Sequence, residues 1–275
     1  MKKKNYIKRM GFYIAILIVL VLATVYIWST IILNKTYDVP LSEVHIPNDS
    51  ASLIEGKRLT RIEHCSDCHG ARLSGGVIGK FVAPNLTEII PTYSNAELER
   101  LLEYGVKKDG HSVYGMPIFM YHQLQDESVA KIIAYLRTIP PLPPTPDIPA
   151  KNTYAFLRRL KLIKGRITPE MVKPDVSRPY LHYDTTQVAF GKYLAMTTCT
   201  SCHGENLKGI KGFSTDLVIA VAYPKEDFFK LLRTGVALGD RKLGLMTKIA
   251  TNNLKYLNDN EINSIYVYLK TKPTQ

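Results

Sequence analysis

Four cysteines are all that the 275 residues contain, and there is a single tryptophan, Trp28. So few thiols exclude a disulfide-dense secreted scaffold. All four fall in two Cys-x-x-Cys pairs, Cys65/Cys68 and Cys199/Cys202, each followed directly by a histidine, His69 and His203, so no thiol is left over for a nucleophile. Strand-like alternation is scarce. No nucleic-acid-binding motif accompanies the net charge of +12, so no nucleic-acid partner is expected. Hydrophobic residues make up 45% of the chain, too many for a largely disordered protein.

Charge is missing altogether from Met10 to Leu33, a run of 24 residues. As a helix that run spans ~36 Å, enough to cross a hydrocarbon core of ~30 Å with some tilt. Lys2, Lys3, Lys4, Lys8 and Arg9 precede it; the positive-inside rule keeps that end in the cytoplasm and puts everything from Asn34 onward outside. Tyr26, Trp28 and Tyr37 lie toward the outer end, where amphipathic rings favour the interface. A cleaved signal peptide would have an apolar region of ~7–15 residues and a small-residue cleavage site, whereas this run ends Ile31-Ile32-Leu33-Asn34-Lys35. Residues 1–34 are therefore read as a basic cytoplasmic tail and a single-pass transmembrane anchor.

The remainder repeats itself once. Cys65-Ser66-Asp67-Cys68-His69-Gly70 recurs as Cys199-Thr200-Ser201-Cys202-His203-Gly204, an offset of 134 that Leu73/Leu207 and Gly75/Gly209 share. Gly56-Lys57-Arg58-Leu59 resembles Gly191-Lys192-Tyr193-Leu194. The stretch Leu101 to Val106 resembles Leu231 to Val236, and Ala134-Tyr135-Leu136-Arg137-Thr138 resembles Val267-Tyr268-Leu269-Lys270-Thr271. Order and spacing persist, so two copies of one domain are expected at 45–140 and 184–275. Helices are predicted over about 50–64, 95–104 and 126–138, and over 185–198, 225–234 and 259–271. Gly105 and Gly235 are suitable C-caps, and Asp126 and Asp259 suitable N-caps. The fold class is all-α.

The connector, 141–183, follows Pro140 with Pro141, Pro143, Pro144, Pro146 and Pro149, a density that favours an extended segment. A basic stretch follows, Arg158, Arg159, Lys161, Lys164 and Arg166, interleaved with Phe156, Leu157, Leu160 and Leu162. It reads as a short amphipathic helix, packed on a domain or facing a membrane or partner.

The chemistry lies in the cysteine pairs. Two thiols three positions apart both reach the vinyl groups on one edge of a haem, and the next residue, a histidine, then faces the iron. Zinc would need two half-sites folded together, and a thioredoxin-like site a βαβ context. The reading is two covalently bound haem c groups, on Cys65 and Cys68 and on Cys199 and Cys202, with His69 and His203 as iron ligands. After His203 there is no further histidine and one methionine, Met246, which is the expected sixth ligand; a lysine or an open position are the alternatives. His111, Met116, Met120 and His122 follow His69, and the 130-residue offset that aligns Gly105 with Gly235 also aligns Met116 with Met246. Met116 is thereby selected, Met120 reads as core packing, and His111 and His122 as surface or loop histidines. Thioether ligation raises the reduction potential, and an iron with both axial positions filled does not readily bind oxygen or peroxide. Electron transfer is expected and no catalytic residue is assigned. The alternative is a dihaem enzyme, a peroxidase or a thiol-oxidising dehydrogenase, with one haem position open.

On these motifs, with Pro84-Asn85-Leu86-Thr87, Gly115-Met116-Pro117 and the Tyr135-Leu136 and Tyr268-Leu269 helices, the chain resembles a membrane-anchored dihaem cytochrome c with two class I cytochrome c-type domains. The resemblance covers nearly all of 50–140 and 185–272. It implies that Gly56 and Gly191 let the first helix of each domain cross closely against the last, near Tyr135 and Tyr268. It also implies that the Pro84 carbonyl receives the His69 N–H. Thr215-Asp216-Leu217 replaces Pro-Asn-Leu in the second domain, which leaves the partner of His203 unidentified. Thioether attachment implies a bacterial cytoplasmic membrane with the haem domains on the periplasmic side. Implied partners are a membrane dehydrogenase, a terminal oxidase or a soluble cytochrome. The third Cys-x-x-Cys-His of many dehydrogenase cytochrome subunits is absent from this sequence.

Overall fold

A computed structural model describes residues 2–78, 81–146, 159–160, 162, 168–172 and 186–273. The described chain is helical apart from two small antiparallel sheets of two strands each. Helix α1, Lys2–Leu33, contains the stretch Tyr6–Leu33 of mean hydropathy 2.7, long and apolar enough to cross a membrane. Its apolar side chains, from Phe12 through Leu22 to Trp28, point outward from the rest of the chain. Beyond it the backbone joins the first repeat at once. Thr36 pairs antiparallel with His111, Tyr37 N donates to the Gly110 carbonyl at 2.9 Å, and Val39 is buried.

The first repeat runs α2 (Ser50–Ile62), α3 (Cys65–His69), β1 (Ser74–Ile78), β2 (Phe81–Asn85), α4 (Leu86–Ile89), α5 (Asn95–Tyr104), α6 (Ile118–Tyr121) and α7 (Asp126–Arg137). A short helix α8, Thr168–Val172, packs on α6. The second repeat runs α9 (Gln187–Thr198), α10 (Thr200–His203), α11 (Lys225–Thr234), β3 (Val236–Ala237), β4 (Arg241–Lys242), α12 (Leu245–Asn252) and α13 (Asp259–Lys270). β1 and β2 are in the register Gly76 to Ala83 and Ile78 to Phe81, and β3 and β4 in the register Val236 to Lys242.

In each repeat the first and last helices cross in close contact, α2 on α7 and α9 on α13. A Cβ at Gly56 would overlap the Lys131 carbonyl oxygen and touch Tyr135 Cβ at 3.0 Å; one at Gly191 would overlap the Ser264 carbonyl. Only a residue without a side chain lets the two backbones approach that far. The apolar stripes of these helices close two cores, one around Leu98, Met120, Ile132 and Ile133, the other around Leu207, Phe228, Ile262 and Ile265. Ile62, at the end of α2, belongs to the second core, so the repeats share apolar contact.

Gly105 and Gly235 end α5 and α11 in the left-handed conformation, φ 68° and 72°. The caps of the last helices stand one residue earlier than the sequence suggests. Gln125 and Asn258 are the N-caps, with Asp126 and Asp259 as first helical residues. Asn258 and Glu261 form a reciprocal capping box, and an aspartate in the first turn still meets the positive helix end favourably. His122 is likewise not a surface residue: it is buried, its Nδ1 2.9 Å from the Glu103 carbonyl and its ring edge-on to Tyr104. The described part of the proline-rich segment folds back on the first repeat. Asn85 donates to the Leu142 carbonyl at 2.8 Å and Thr145 N to Ser74 O at 3.0 Å. Arg158, Lys161, Lys164 and Arg166 lie outside the described residues. Arg159 is described: its guanidinium stands 4.1 Å over the Tyr26 ring and donates to Ser29 Oγ at 2.8 Å.

Candidate functional site

The two cysteine motifs adopt the same backbone. Gly70 and Gly204 have φ 79° and 78°, and three residues on Leu73 and Leu207 have φ 59° and 61°. A left-handed leucine costs roughly 1–2 kcal/mol, and both repeats bear it at the same place. The turn is closed by Leu73 N to Gly70 O and Leu207 N to Gly204 O, each 2.9 Å. It is tied to the next segment by Leu86 N to Leu73 O and Leu217 N to Leu207 O, also 2.9 Å. That folded-back loop sets a carbonyl against each histidine. His69 Nδ1 lies 2.8 Å from Pro84 O, and His203 Nδ1 lies 2.8 Å from Thr215 O. A carbonyl only accepts, so each Nδ1 carries the proton and each Nε2 keeps its lone pair for a ligand. The second partner escaped the sequence because a backbone oxygen does the work, and threonine supplies it as well as proline.

Burial pushes the His69 imidazole below its ordinary value, against the opposite pull of the Pro84 carbonyl. Burial also pushes Cys65 and Cys199 up to about 12, and Cys68 up to about 11 with help from Asp67 and Cys202. The four thiols form no disulfide, and the burial around Cys65, Cys68 and Cys199 is unlike the exposed, electropositive environment of a nucleophilic cysteine. Among the described residues no group of three or more His, Cys, Asp or Glu side chains converges as a metal cage.

A cavity of about 650 Å³ opens beside the second motif, bounded by Cys199, Cys202, His203 and Met246 and walled by apolar side chains such as Leu217, Phe228 and Leu254. The size falls within the ~300–1,000 Å³ of cofactor sites. Two thiols, the His203 lone pair, one thioether and a mainly apolar wall fit a haem. In the first repeat Met116 is half-buried against the core that contains Cys65, Leu73 and Ile118, while Met120 is fully buried within it. Gly115, φ 89°, lets the loop pass under the Phe81 ring, where a Cβ would stand 3.0 Å from Cδ1.

The motifs also meet each other, which the sequence did not disclose. His64, buried and left-handed at φ 60°, places Nδ1 3.1 Å from Asp67 Oδ2 and Nε2 3.1 Å from the Thr198 carbonyl. It also lines the second cavity. Asn253 donates to the Arg61 carbonyl at 2.8 Å and to Asp67 Oδ1 at 3.3 Å. Arg58 reaches Glu261, and Glu63 is buried with one carboxyl oxygen unpaired. None of these residues carries a local pattern; contacts between repeats leave no period in a single chain.

Comparison with known proteins agrees with this geometry. The chain is 25% identical over 266 residues to the fructose dehydrogenase cytochrome subunit of Gluconobacter japonicus, covering 82% of this chain and 53% of that one. It is 23% identical over 272 residues to the gluconate 2-dehydrogenase cytochrome c subunit of Pantoea cypripedii, covering 81% and 60%. It is also 23% identical over 268 residues to the alcohol dehydrogenase (quinone) cytochrome c subunit of Gluconacetobacter polyoxogenes, covering 82% and 57%. The chain thus spans between half and two thirds of the length of these curated relatives. The family model for cytochrome c matches residues 53–140 and again 188–272. With more than half of its residues matched, and in both repeats, the chain belongs to the cytochrome c family of electron carriers.

Proposed function

We propose that this protein is a membrane-tethered dihaem electron carrier that relays electrons from a membrane dehydrogenase toward a further redox partner. The observation that carries the reading is the matched pair of sites, each with two unpaired thiols and a histidine whose Nδ1 faces a carbonyl at 2.8 Å. Cys65 and Cys68 would hold one haem c and Cys199 and Cys202 the other. His69 with Met116, and His203 with Met246, would be the axial ligands. Haem c, when bound, supplies a one-electron iron couple whose potential the axial sulfur raises.

The protein's own part is to fix the ring tautomer, line the cofactor cavity and keep the two sites in contact. The Pro84 and Thr215 carbonyls orient the imidazoles and raise their basicity as ligands. The largely apolar wall of the second cavity would pack against the faces of a haem. Helix α1 supports a single-pass anchor with the repeats on the periplasmic side, since five basic residues and no acidic ones precede its uncharged core. The dehydrogenase as electron donor rests on the relatives, each a cytochrome subunit of a dehydrogenase.

Haem staining after reducing, denaturing electrophoresis, with an alkaline pyridine assay for haem per chain, tests the assignment. Two haems per polypeptide are expected, both low-spin, with the far-red sulfur-to-iron band. A stable high-spin ferric haem with peroxide turnover would overturn the carrier reading in favour of an enzyme.

A further inference from the structure

We infer that His64 is a positioning residue for electron passage between the two haem sites; the inference rests on the dihaem reading above. His64 and Thr198 each immediately precede the first cysteine of their motif, and their separation of 134 is the repeat offset itself. Their contact is therefore one between equivalent positions, where the two repeats come together motif to motif. The imidazole bridges that junction. Its Nε2 meets the Thr198 carbonyl, one peptide from Cys199, and its Nδ1 meets the carboxylate of Asp67, which sits between Cys65 and Cys68. Both partners are acceptors, so it is the doubly protonated ring that donates to each and links the first attachment motif to the second through hydrogen bonds and covalent bonds. Electronic coupling falls off less steeply along such a path than across a van der Waals gap.

The position is maintained at a cost. A histidine at φ 60° is uncommon, and strained non-glycine residues persist where the surroundings over-determine them. Thr198 itself is the last residue of helix α9, so the left-handed turn belongs to the first repeat alone. The surroundings are specific as well: Asn253 of the second repeat holds Asp67 from its other oxygen, which keeps the carboxylate aimed at the ring. His64 also contributes to the wall of the second cavity alongside Cys202 and His203. In the step it serves, one electron leaves the ferrous centre and enters the ferric one, so that one iron is oxidised as the other is reduced. No bond or proton changes at His64.

The test uses the full chain in detergent micelles, with haem content and the sulfur-to-iron band recorded first. Pulse-radiolytic injection of one electron is followed by its redistribution between the haems. His64→Gly removes the ring while relieving the left-handed strain, so the fold is not penalised by the backbone. It is expected to keep both haems and both sulfur bands while slowing redistribution roughly tenfold, a barrier of about 1.4 kcal/mol. His64→Gln, whose amide nitrogen can donate to the Thr198 carbonyl, is expected to restore most of the rate. Unchanged redistribution in His64→Gly, or loss of a haem or sulfur band in that variant, overturns the inference. The first outcome makes the bridge irrelevant, and the second makes His64 a mere wall of the cavity. Failure of the dihaem reading shows separately, in the unsubstituted chain, as fewer than two haems.

Discussion

Arg58 and Glu261 meet as a two-pronged fork across the two repeats, Nη1 to Oε2 at 2.8 Å and Nη2 to Oε1 at 2.7 Å. Glu55, one helical turn before Arg58 on α2, takes the same guanidinium from the other side at 2.7 Å. Glu55 is held below its ordinary value chiefly by that hydrogen bond. Planar guanidinium and carboxylate match in this geometry. Glu261 is nearly buried and also receives the Asn258 N–H of its helix cap, so losing Arg58 leaves a poorly solvated carboxylate behind.

Arg58→Ala is expected to lower stability by about 2 kcal/mol, below the 3–5 kcal/mol of a fully buried pair because the arginine keeps some solvent contact. A double-mutant cycle with Glu261→Gln, read by chemical denaturation, separates the bridge from the cap. A coupling energy near zero would mean that the fork contributes nothing.

Gly56→Ala and Gly191→Ala each drive a methyl group into a backbone carbonyl, of Lys131 and Ser264 respectively. Backbone cannot yield as a side-chain end does, so each is expected to cost about 3 kcal/mol or more. Gly212, φ 76°, has open space around it, and alanine there meets only the conformational penalty of about 1 kcal/mol. Thermal melts of the three variants rank them, and equal losses would mean that helix crossing is not the reason for the glycines.

The glycines, the motifs and the helices were legible in the sequence because each is a local or periodic signal. The repeat offset could be read from identities alone, and it pairs Met116 with Met246. Contacts between the repeats were not legible. Arg58 looks like one more surface arginine on an amphipathic helix until Glu261 stands opposite. His64 and Glu63 look like polar residues at a helix end, although both are buried. The proline-rich stretch suggested an extended segment, and its described part folds back on the first repeat; that Ile62 of α2 enters the second core was not legible. His122 stands in a turn, yet it is buried with Nδ1 facing the Glu103 carbonyl, which no residue pattern announces.

The segment just after α1 is part of the first repeat rather than a slack tether. Thr36 and Tyr37 pair with His111 and Gly110, in the loop that leads to Met116, and Arg100 donates to both Val39 O and Lys107 O. A chain beginning at residue 35 is therefore expected to keep both sulfur-to-iron bands to the same temperature as the full chain. One beginning at residue 45 loses the strap and about 1–3 kcal/mol, with one band fading earlier on heating. Equal melting of the two forms would show that the strap does not hold the ligand loop.

Met246→Ala and Met116→Ala are each expected to abolish half of the far-red band and lower one potential while both haems stay attached, since attachment depends on the cysteines. Met120 is buried in the core away from solvent. Met120→Ala is expected to cost about 2–5 kcal/mol of stability and leave the band intact. If Met120→Ala removes the band and Met116→Ala does not, the ligand assignment is displaced by one turn.

Glu63 gives the folded chain a defined pH dependence. Burial pushes its carboxyl well above the ordinary 4.5, helped by Glu261 and opposed by hydrogen bonding from Thr197 and the charge of Arg58. Cys65 and Cys199 feel it from either repeat, and Tyr121 donates its hydroxyl to the Glu63 carbonyl at 2.9 Å. The folded chain keeps a proton that the unfolded chain releases, so this contribution to stability is present below 4.5 and declines as pH rises toward the raised folded value. Glu63→Gln removes the titration and retains the shape. Relative to the unsubstituted chain, the variant is expected to gain stability between pH 5 and pH 8, read from urea midpoints at the two values. The sign is decisive. A gain that grows with pH places an uncharged carboxyl between the motifs, whereas a loss that grows with pH would mean that the carboxylate is ionised there and held by Arg58.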